Sequence, residues 1–343
     1  MNCSHFLHAR KSLLLPMKLA HKRKRFLFAI LTIWLAMGMG SCQPTEHPPF
    51  SKQAVENPAG VGARLPRFTS LPGGGIIMSW VEPRVEGHVL KFAVHHQNRW
   101  IRQDEVAHEP DWFINWADFP SIVAIDRTFW VAHWLVNQPG GRPYDYDIAL
   151  SISTDGGLTW GTPQSPHHDR SPAEHGFVSI FPLGGDAGII WLDGREYHQQ
   201  PAGTGAATTP GNFQLRSTRL HLDGRLDVEH VIDHNTCTCC GTSVVVTPAG
   251  PVAGWRSRTD KEIRDNRVAQ FQNGQWSAPI PLGAEEWEIA GCPVNGPILA
   301  ARGIQLAAVW FTGEGDRPRV RAAFSLDGGQ HFGEPAEIDE IEP

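Results

Sequence analysis

The most reactive side chains in this sequence are four cysteines in two short motifs. Cys237, Cys239 and Cys240 form a Cys-x-Cys-Cys motif, and Cys292 lies in a later Gly-Cys-Pro motif. Thiolates beside an imidazole such as that of His234 form a soft ligand set for copper or zinc. In an oxidising compartment the same thiols predict a disulfide instead, for example between Cys240 and Cys292, and they could also carry out redox chemistry. Metal site and disulfide stay open as alternatives.

Acidic, imidazole and guanidinium groups supply a second candidate chemistry. Two carboxyl groups that flank a glycosidic bond can hydrolyse it, and arginine binds an anionic sugar through two hydrogen bonds. The candidate acid–base residues are Asp118, Glu174, His175, Asp260 and Glu262. The candidate substrate-binding residues are Arg195, Arg258, Arg264, Asn115 and Asn295. The alternative is that these charges pair with one another and stiffen the loops that carry them.

A repeated strand predicts the framework that positions these side chains. Five apolar segments end in tryptophan, with successive tryptophans 54, 57, 64 and 55 residues apart: Trp80, Trp134, Trp191, Trp255 and Trp310. Each segment follows one apolar strand and precedes an alternating strand, and most units end in a fourth strand. The sequence therefore predicts an all-β fold, a β-propeller of four-stranded blades with five repeats.

The propeller topology predicts where the candidate residues meet. In a blade, the loop from strand four to the next strand one emerges on the same face as the loop between strands two and three. The candidate residues of both groups fall in these two kinds of loop. We therefore expect them at one mouth of the central channel, which is the usual ligand site of a propeller.

Two turn motifs are similar to those of a known family. Residues 153–160 and 325–332 share the pattern Ser-x-Asp-x-Gly-x-x-aromatic. This pattern resembles the Asp-box, or BNR motif, of the sialidase superfamily, whose fold is a propeller. In such a hairpin the aspartate caps turn amides, so Asp155 and Asp327 are predicted to be structural. Six blades would be the expectation for a sialidase, against the five repeats counted here.

The resemblance to sialidases implies a function and one further site residue. In that family an Arg-x-Pro motif on the first strand binds the substrate carboxylate, and Arg64 begins a similar motif here. The family's catalytic tyrosine lies in the last blades, whereas the tyrosines of this chain all precede the fourth repeat: Tyr144, Tyr146 and Tyr197. Segments 115–118, 174–177, 192–195 and 291–296 resemble those of bacterial exported sialidase-like proteins. We expect an exo-sialidase-type glycoside hydrolase or, alternatively, a non-hydrolytic propeller that binds copper or zinc or does redox chemistry.

The N-terminal segment is predicted to direct export. The basic residues 21–25 precede an apolar run over 26–39 that is short for a bilayer span. Small residues before Cys42 resemble the lipobox of bacterial lipoproteins, which implies a signal peptide over 1–41 and lipidation of Cys42; an ordinary signal peptide is the alternative. Residues 42–59 would be a polar tether and 60–343 the propeller. The predicted location is the bacterial cell envelope, at the outer membrane or the periplasmic face in a Gram-negative host.

The charge balance argues against a nucleic-acid partner. Seven of the 30 Lys and Arg residues lie in 1–41, and none of the 36 Asp and Glu residues does. The remaining chain is therefore more acidic than the formal net charge of −6 indicates, and it would be repelled by nucleic acid. The expected partners are a membrane, reached through the lipid anchor, and a glycan. The propeller is expected to be a monomer, with copper or zinc as candidate cofactors.

Overall fold

A computed structural model describes residues 54–198 and 211–339 of the chain. The predicted signal peptide 1–41, the predicted lipidation site Cys42 and residues 43–53 of the predicted tether lie outside the described residues. Within the described residues, no helix is both long enough and apolar enough to cross a bilayer.

The described residues form five antiparallel sheets, each built from consecutive strands. Blade one contains β1 (Arg64–Ser70), β2 (Ile76–Pro83), β3 (His88–His96) and β4 (Arg99–Glu109). Blade two contains β5 (Ser121–Ala124), β6 (Trp130–Asn137) and β7 (Tyr146–Ser153). Blade three contains β8 (His175–Leu183), β9 (Asp186–Asp193), the short helix α1 (Arg195–His198), β10 (Gln214–Leu220) and β11 (His230–Asp233).

The last two blades follow the same order. Blade four contains β12 (Ser243–Thr247), β13 (Gly250–Arg256), β14 (Asn266–Gln272), β15 (Gln275–Trp276) and β16 (Ile280–Pro281). Blade five contains β17 (Ile298–Arg302), β18 (Gln305–Thr312), a 3-10 turn (Glu314–Asp316), β19 (Arg319–Ser325) and β20 (Ala336–Glu337). Blade two departs from the predicted four strands, because its fourth strand is reduced to a bridge between Leu150 and Gln164.

The first strands of all five blades surround one central cavity. This cavity of about 720 Å³ is lined by β1, β5, β8, β12 and β17, and it includes Arg67, Ser121, Ser179, Thr242 and Leu299. First strands of successive blades also contact each other from β1 through to β17. The sheets therefore wrap around a common axis, which confirms the predicted β-propeller and its five repeats.

The repeated tryptophan lies in the second half of the second strand of each blade, one to three residues before the strand ends, and its side chain is in the core. All five of these side chains are at most 2% exposed. Four of them donate their indole N–H to a carboxylate: Trp80 to Glu82, Trp191 to Asp193, Trp255 to Asp233 and Trp310 to Glu285. The fifth, Trp134, stacks on Trp112 with ring centroids 6.2 Å apart. The large ring fills the space between blades, and in the four blades with a carboxylate this group satisfies the one polar atom of the ring.

The two Ser-x-Asp turns have the same hydrogen bonds. In the first, Asp155 Oδ1 accepts from the amides of Leu158 and Thr159 at 3.0 and 2.9 Å. In the second, Asp327 Oδ1 accepts from the amides of Gln330 and His331 at 3.0 Å. Both aspartates are therefore engaged in holding a turn.

The loops that carry the candidate residues are joined on one face. Isolated bridges link a loop before a first strand to a loop between second and third strands, as between Thr236 and Ser257. A parallel bridge between Tyr146 and Glu174 joins the start of β7 to the residue before β8. We name this end of the propeller the loop face.

Candidate functional site at the loop face

Two carboxyl groups meet at the hydroxyl of one tyrosine. Tyr146 begins β7, Asp118 lies in the loop before β5, and Glu174 immediately precedes β8. The Tyr146 hydroxyl is 3.3 Å from Asp118 Oδ2 and 3.2 Å from Glu174 Oε1. A phenol has one proton to donate, so it can satisfy only one ionised carboxylate at a time. We name Asp118 and Glu174 the carboxyl pair.

Burial keeps protons on the carboxyl pair near neutral pH. Burial raises the pKa of Asp118 to about 7, against the opposing effects of the Phe177 amide, Tyr146 and Arg67. Burial, together with the charge of Asp118, raises the pKa of Glu174 to about 7. The two groups lie close enough to couple, so they lose their protons in steps that belong to the pair. A proton donor and a proton acceptor therefore coexist there at neutral pH.

The backbone of β8 is shaped around Asp118. Phe177 has a φ of 53°, and the pairing of β8 with β9 shifts register between Gly176 and Ser179. This conformation turns the Phe177 amide to donate to Asp118 Oδ2 at 2.8 Å. A Cβ on Gly176 would lie 2.7 Å from the Tyr146 hydroxyl, so a glycine is needed where the strand passes the carboxyl pair.

A buried histidine beside the pair is surrounded by acids. His175 Nδ1 is 3.2 Å from Asp147 Oδ1, and His175 Nε2 is 3.2 Å from Asp169 Oδ2 and 3.7 Å from Asp193 Oδ1. The ring of His167 stacks on that of His175 with centroids 4.0 Å apart. We name these five residues the histidine cage.

The two rings of the histidine cage have opposite charge preferences. Burial opposes the charge of His175, but the hydrogen bond with Asp147 and the surrounding carboxylates outweigh it and raise the pKa. Burial and the charge of His175 lower the pKa of His167 to about 4. His175 is thus held as a cation among acids, while His167 stays neutral.

Arg195, a predicted substrate-binding residue, is paired with acids of its own blade. It donates to Asp193 Oδ2 at 2.7 Å and to Glu229 Oε2 at 2.8 Å, and its side chain is 13% exposed. Arg216 shares Glu229 at 3.3 Å. An anionic ligand at Arg195 would therefore compete with carboxylates already in place.

The four cysteines lie together between blades four and five. Cys239 and Cys292 form a disulfide, so the pairing of Cys240 with Cys292 offered as an example from sequence is wrong. Cys237 and Cys240 are free and buried, with their sulfurs 3.3 Å apart. Cys237 Sγ also lies 3.9 Å from Cys239 Sγ. We name these four residues the cysteine cluster.

A guanidinium group activates one thiol of the cysteine cluster. The hydrogen bond from the Cys240 thiol is the largest effect that lowers the pKa of Cys237, and the Cys239 amide and Arg264 lower it further. Together these effects outweigh burial and bring the pKa of Cys237 to about 6. Arg264 Nη1 is 3.3 Å from Cys237 Sγ. The pKa of Cys240 is raised, first by its hydrogen bond to Cys237 and then by burial. Cys237 is therefore the thiolate and Cys240 the thiol at neutral pH.

The remaining predicted residues of blade four form a charged group beside the cysteine cluster. Glu262 Oε2 accepts from Arg258 Nε at 3.1 Å and from Arg264 Nη2 at 2.8 Å. The hydrogen bond from Arg258 lowers the pKa of Glu262, which is therefore ionised. Asp260 accepts from Asn235 at 3.4 Å. These charges neutralise one another, which is the pairing that the sequence left as the alternative.

Arg256 holds the loop that carries Cys292. Its side chain is 1% exposed and donates from Nε and Nη2 to the Asn295 carbonyl at 3.0 and 2.9 Å. It also donates to the Phe311 carbonyl at 2.8 Å. The backbone oxygen of Asn295 therefore anchors this loop to Arg256. The side-chain amide of Asn295 donates to the nearby Pro293 carbonyl.

Two predicted substrate-binding residues lie apart from these groups. Arg64 is the first residue of β1, and its side chain is exposed. The side-chain oxygen of Asn115 accepts a hydrogen bond from the Ala117 amide at 2.8 Å. Among the described residues, no hydrogen bond or ion pair joins either one to the carboxyl pair.

Two sets of residues have the spacing of metal ligands. In the described parts of the chain, one atom from each of Cys237, Cys239 and Cys240 lies within 4.8 Å of the others, as does one from each of Asp147, His167 and His175. A soft cation at the first set fits only once the Cys239–Cys292 disulfide is reduced, because Cys239 has no free thiolate before then. The second set would require His175 to lose its proton.

Sequence reasoning missed several residues that complete these groups. Arg67 lines the central cavity, and its charge acts on Asp118. Tyr146 and Asp147 open the third strand of blade two, where the alternating pattern marks them as ordinary strand residues. Glu229 precedes a short outer strand. The parallel contact between β7 and the loop before β8 brings Tyr146 to Glu174, and no local pattern encodes that contact.

The chain was compared with known proteins. No family model and no curated protein matches it. It is similar to a thermostable family-43 glycoside hydrolase, with a TM-score of 0.44 and 13% identity over 84% of this chain and 99% of the other. It is similar to a neuraminidase-like protein from A/bat/Guatemala/164/2009, with a TM-score of 0.47 and 8% identity over 80% of this chain and 74% of the other.

A third solved structure has a comparable likeness. The α-L-arabinofuranosidase of Lactobacillus brevis has a TM-score of 0.44 and 10% identity, over 80% of this chain and 95% of the other. At these identities and TM-scores, the likenesses transfer no activity to this chain.

Proposed function

We propose that this protein is an exported, lipid-anchored glycoside hydrolase that processes glycans at its loop face. The carboxyl pair carries the proposal, since Asp118 and Glu174 share one phenol and both hold protons near pH 7. A carboxyl group that holds its proton near neutral pH can act as the general acid in the hydrolysis of a glycosidic bond.

The two members of the pair differ in access, which supports different roles. Glu174 is half-buried, whereas Asp118 is 2% exposed. Glu174 is the proposed general acid, which donates its proton to the leaving-group oxygen of the substrate. Asp118 is a positioning residue in this proposal, because its charge helps to raise the pKa of Glu174 and it shares the Tyr146 hydroxyl with that residue. Tyr146 is completely buried, so it is not proposed as a nucleophile.

The finer proposal is exo-acting release of a terminal anionic sugar, such as sialic acid. It rests on the resemblance to sialidases and on Arg64, which is exposed at the start of β1. Arg195, Arg258 and Arg264 already face carboxylates, which leaves Arg64 as the candidate that can bind a ligand without breaking an ion pair.

Hydrolysis of a substrate panel tests the proposal. The purified mature protein is assayed with a fluorogenic sialoside and with fluorogenic α- and β-glycosides of neutral and acidic sugars. Glu174→Gln should lower turnover by about 10²-fold or more, because the amide cannot donate the proton. Glu334→Gln, an exposed site on blade five, is the matched control and should keep wild-type turnover. Absence of turnover on every substrate, or full activity of Glu174→Gln, would overturn the proposal.

The proposed anchor is tested separately. Cells that express the full chain are labelled with a fatty acid, and their membranes are separated from the soluble fraction. Lipidation at Cys42 predicts label on the wild type and a soluble, unlabelled Cys42→Ser variant. Equal membrane association of both proteins would contradict the anchor and leave the catalytic proposal intact.

A further inference from the structure

The cysteine cluster joins a surface disulfide to two buried thiols. Cys292 is exposed and Cys239 half-buried, whereas Cys237 and Cys240 are at most 1% exposed. Cys237 Sγ lies between its two neighbours, 3.3 Å from Cys240 Sγ and 3.9 Å from Cys239 Sγ. A thiolate in van der Waals contact with a disulfide sulfur is placed for thiol–disulfide exchange.

The surroundings of Cys237 favour its anionic form. Arg264 Nη1 approaches its sulfur at 3.3 Å, and the same guanidinium bonds Glu262 at 2.8 Å, which fixes its orientation. The Cys240 thiol also donates a hydrogen bond to Cys237 Sγ. A guanidinium cation and a hydrogen-bond donor at one sulfur both stabilise its thiolate.

We propose that the cysteine cluster is a thiol–disulfide relay that passes two electrons from the buried pair to the surface pair. The Cys237 thiolate attacks Cys239 Sγ, the Cys239–Cys292 bond breaks, and Cys292 leaves with the electron pair. Cys240 then attacks Cys237 Sγ and gives up its proton, which the released Cys292 thiolate takes up; a Cys237–Cys240 disulfide forms and Cys239 leaves as a thiolate. The number of disulfides is unchanged, and the reduced pair now lies at the surface.

The product of the relay is a surface dithiol that can reduce a protein disulfide. Cys292 attacks one sulfur of the partner's disulfide, and Cys239 resolves the mixed disulfide. This restores the Cys239–Cys292 bond and leaves the partner as a dithiol. The partner is therefore an exported protein with an accessible disulfide, and a protein dithiol must later reduce the Cys237–Cys240 bond. None of these residues belongs to the carboxyl pair, so the relay is independent of the proposed hydrolysis.

Labelling of Cys292 without any reductant tests the exchange. The purified mature protein is incubated with iodoacetamide under native conditions, and its peptides are mapped by mass spectrometry. In the wild type, Cys292 should become alkylated over time, and Cys237 should be found bonded to Cys240. In Cys240→Ser the first step remains, so Cys292 should still be alkylated and Cys237 should be bonded to Cys239. In Cys237→Ala, labelling of Cys292 should fall to background.

A second variant keeps the test decisive if Cys237→Ala does not fold. Arg264→Gln removes the guanidinium beside Cys237 but keeps all four cysteines, so it should slow the labelling of Cys292. Thermal unfolding monitored by circular dichroism shows which variants are folded. An unlabelled Cys292 in the wild type, or labelling of a folded Cys237→Ala or Arg264→Gln variant at the wild-type rate, would overturn the relay and leave a fixed disulfide beside two core thiols.

Insulin serves as the acceptor for the second half of the relay. On incubation of the wild type with insulin, the two free thiols of the protein should disappear while insulin thiols appear in equal number. Cys237→Ala should reduce no insulin above background. Exchange within the protein but no reduction of insulin would contradict the role as a donor to protein disulfides.

Discussion

The hydroxyl of Tyr146 lies 3.2 Å from Oε1 of Glu174, although the two residues belong to different blades. The same hydroxyl is 3.3 Å from Asp118 Oδ2, so it contacts both members of the carboxyl pair. Its ring is buried and stacks on Phe113 with centroids 3.9 Å apart. Packing therefore holds the hydroxyl in place between the two acids.

Tyr146→Phe removes this hydroxyl while the ring stays in place. We expect the free energy of unfolding at pH 7 to fall by about 1–3 kcal/mol, because Asp118 and Glu174 lose a buried partner. Urea denaturation measures the change. Tyr144→Phe is the matched control, since Tyr144 is 59% exposed and its substitution should leave stability unchanged. A Tyr146→Phe variant as stable as the wild type would show that the hydroxyl contributes nothing to the pair.

The carboxyl pair should make the protein less stable as pH rises. Both pKa values are about 7 in the folded protein and near 4 in an unfolded chain, so the folded state binds more protons between these limits. This contribution is complete below about pH 4 and is lost as pH rises through about 7. The free energy of unfolding, measured from pH 5 to pH 8, should fall more steeply in the wild type than in Asp118→Asn.

The comparison with Asp118→Asn isolates the pair from other titrating groups. His167 and His133 have lowered pKa values and so favour the folded state at higher pH, whereas His175 has a raised value. All three histidines remain in the variant, so their contributions cancel when the pH profile of the variant is subtracted from that of the wild type. Parallel pH profiles for the two proteins would show that Asp118 does not titrate in this range.

His175 should be essential to the stability of its blade. Asp147, Asp169 and Asp193 all face its ring, and the neutral amide in His175→Gln would remove the cation that they share, with Arg195 still paired to Asp169 and Asp193. Removal of one partner from a buried ion pair costs about 3–5 kcal/mol, and we expect a loss of that size at pH 7. His168→Gln is the matched control, because that side chain is 79% exposed. Chemical denaturation of both variants decides the matter.

Copper or zinc should bind the cysteine cluster only after reduction. Cys239 becomes available as a ligand beside Cys237 and Cys240 when its bond to Cys292 is broken. We expect about one zinc ion per reduced protein, measured by competition with a chromophoric chelator, and far less for the oxidised protein. Cys240→Ser should weaken the binding by the reduced protein. Equal binding before and after reduction would place the metal elsewhere.

The architecture could be predicted from sequence because its signals are local. Each tryptophan-ended strand is an apolar segment between turns, and its spacing repeats at the length of one blade. The Ser-x-Asp turns depend on side-chain contacts two to four residues apart, as in the bond from Ser153 to Asp155. The period and the burial of the tryptophan therefore agree at every repeat, two repeats add the same turn chemistry, and the five blades follow from that agreement.

The groups at the loop face depend on contacts between blades. Sequence placed Asp118, Glu174 and the four cysteines on this face, but Tyr146, Arg67 and Arg256 were not among the candidates. Asp118 and Glu174 are 56 residues apart, and their meeting at Tyr146 is decided by how blades two and three pack. Such distances depend on blade angles and side-chain rotamers, which a single sequence does not display.

The sequence by itself determined the propeller, the number of blades and the face on which the reactive side chains collect. Only the tertiary structure decided which cysteine bonds Cys292 and which arginines are already neutralised by acids. The reason is physical: strand period and turn chemistry act between neighbours along the chain. Whether Cys239 or Cys240 bonds Cys292, and whether Arg264 binds Glu262 or a ligand, depends on distances that differ by a few ångströms. These distances are set only when separate blades come together.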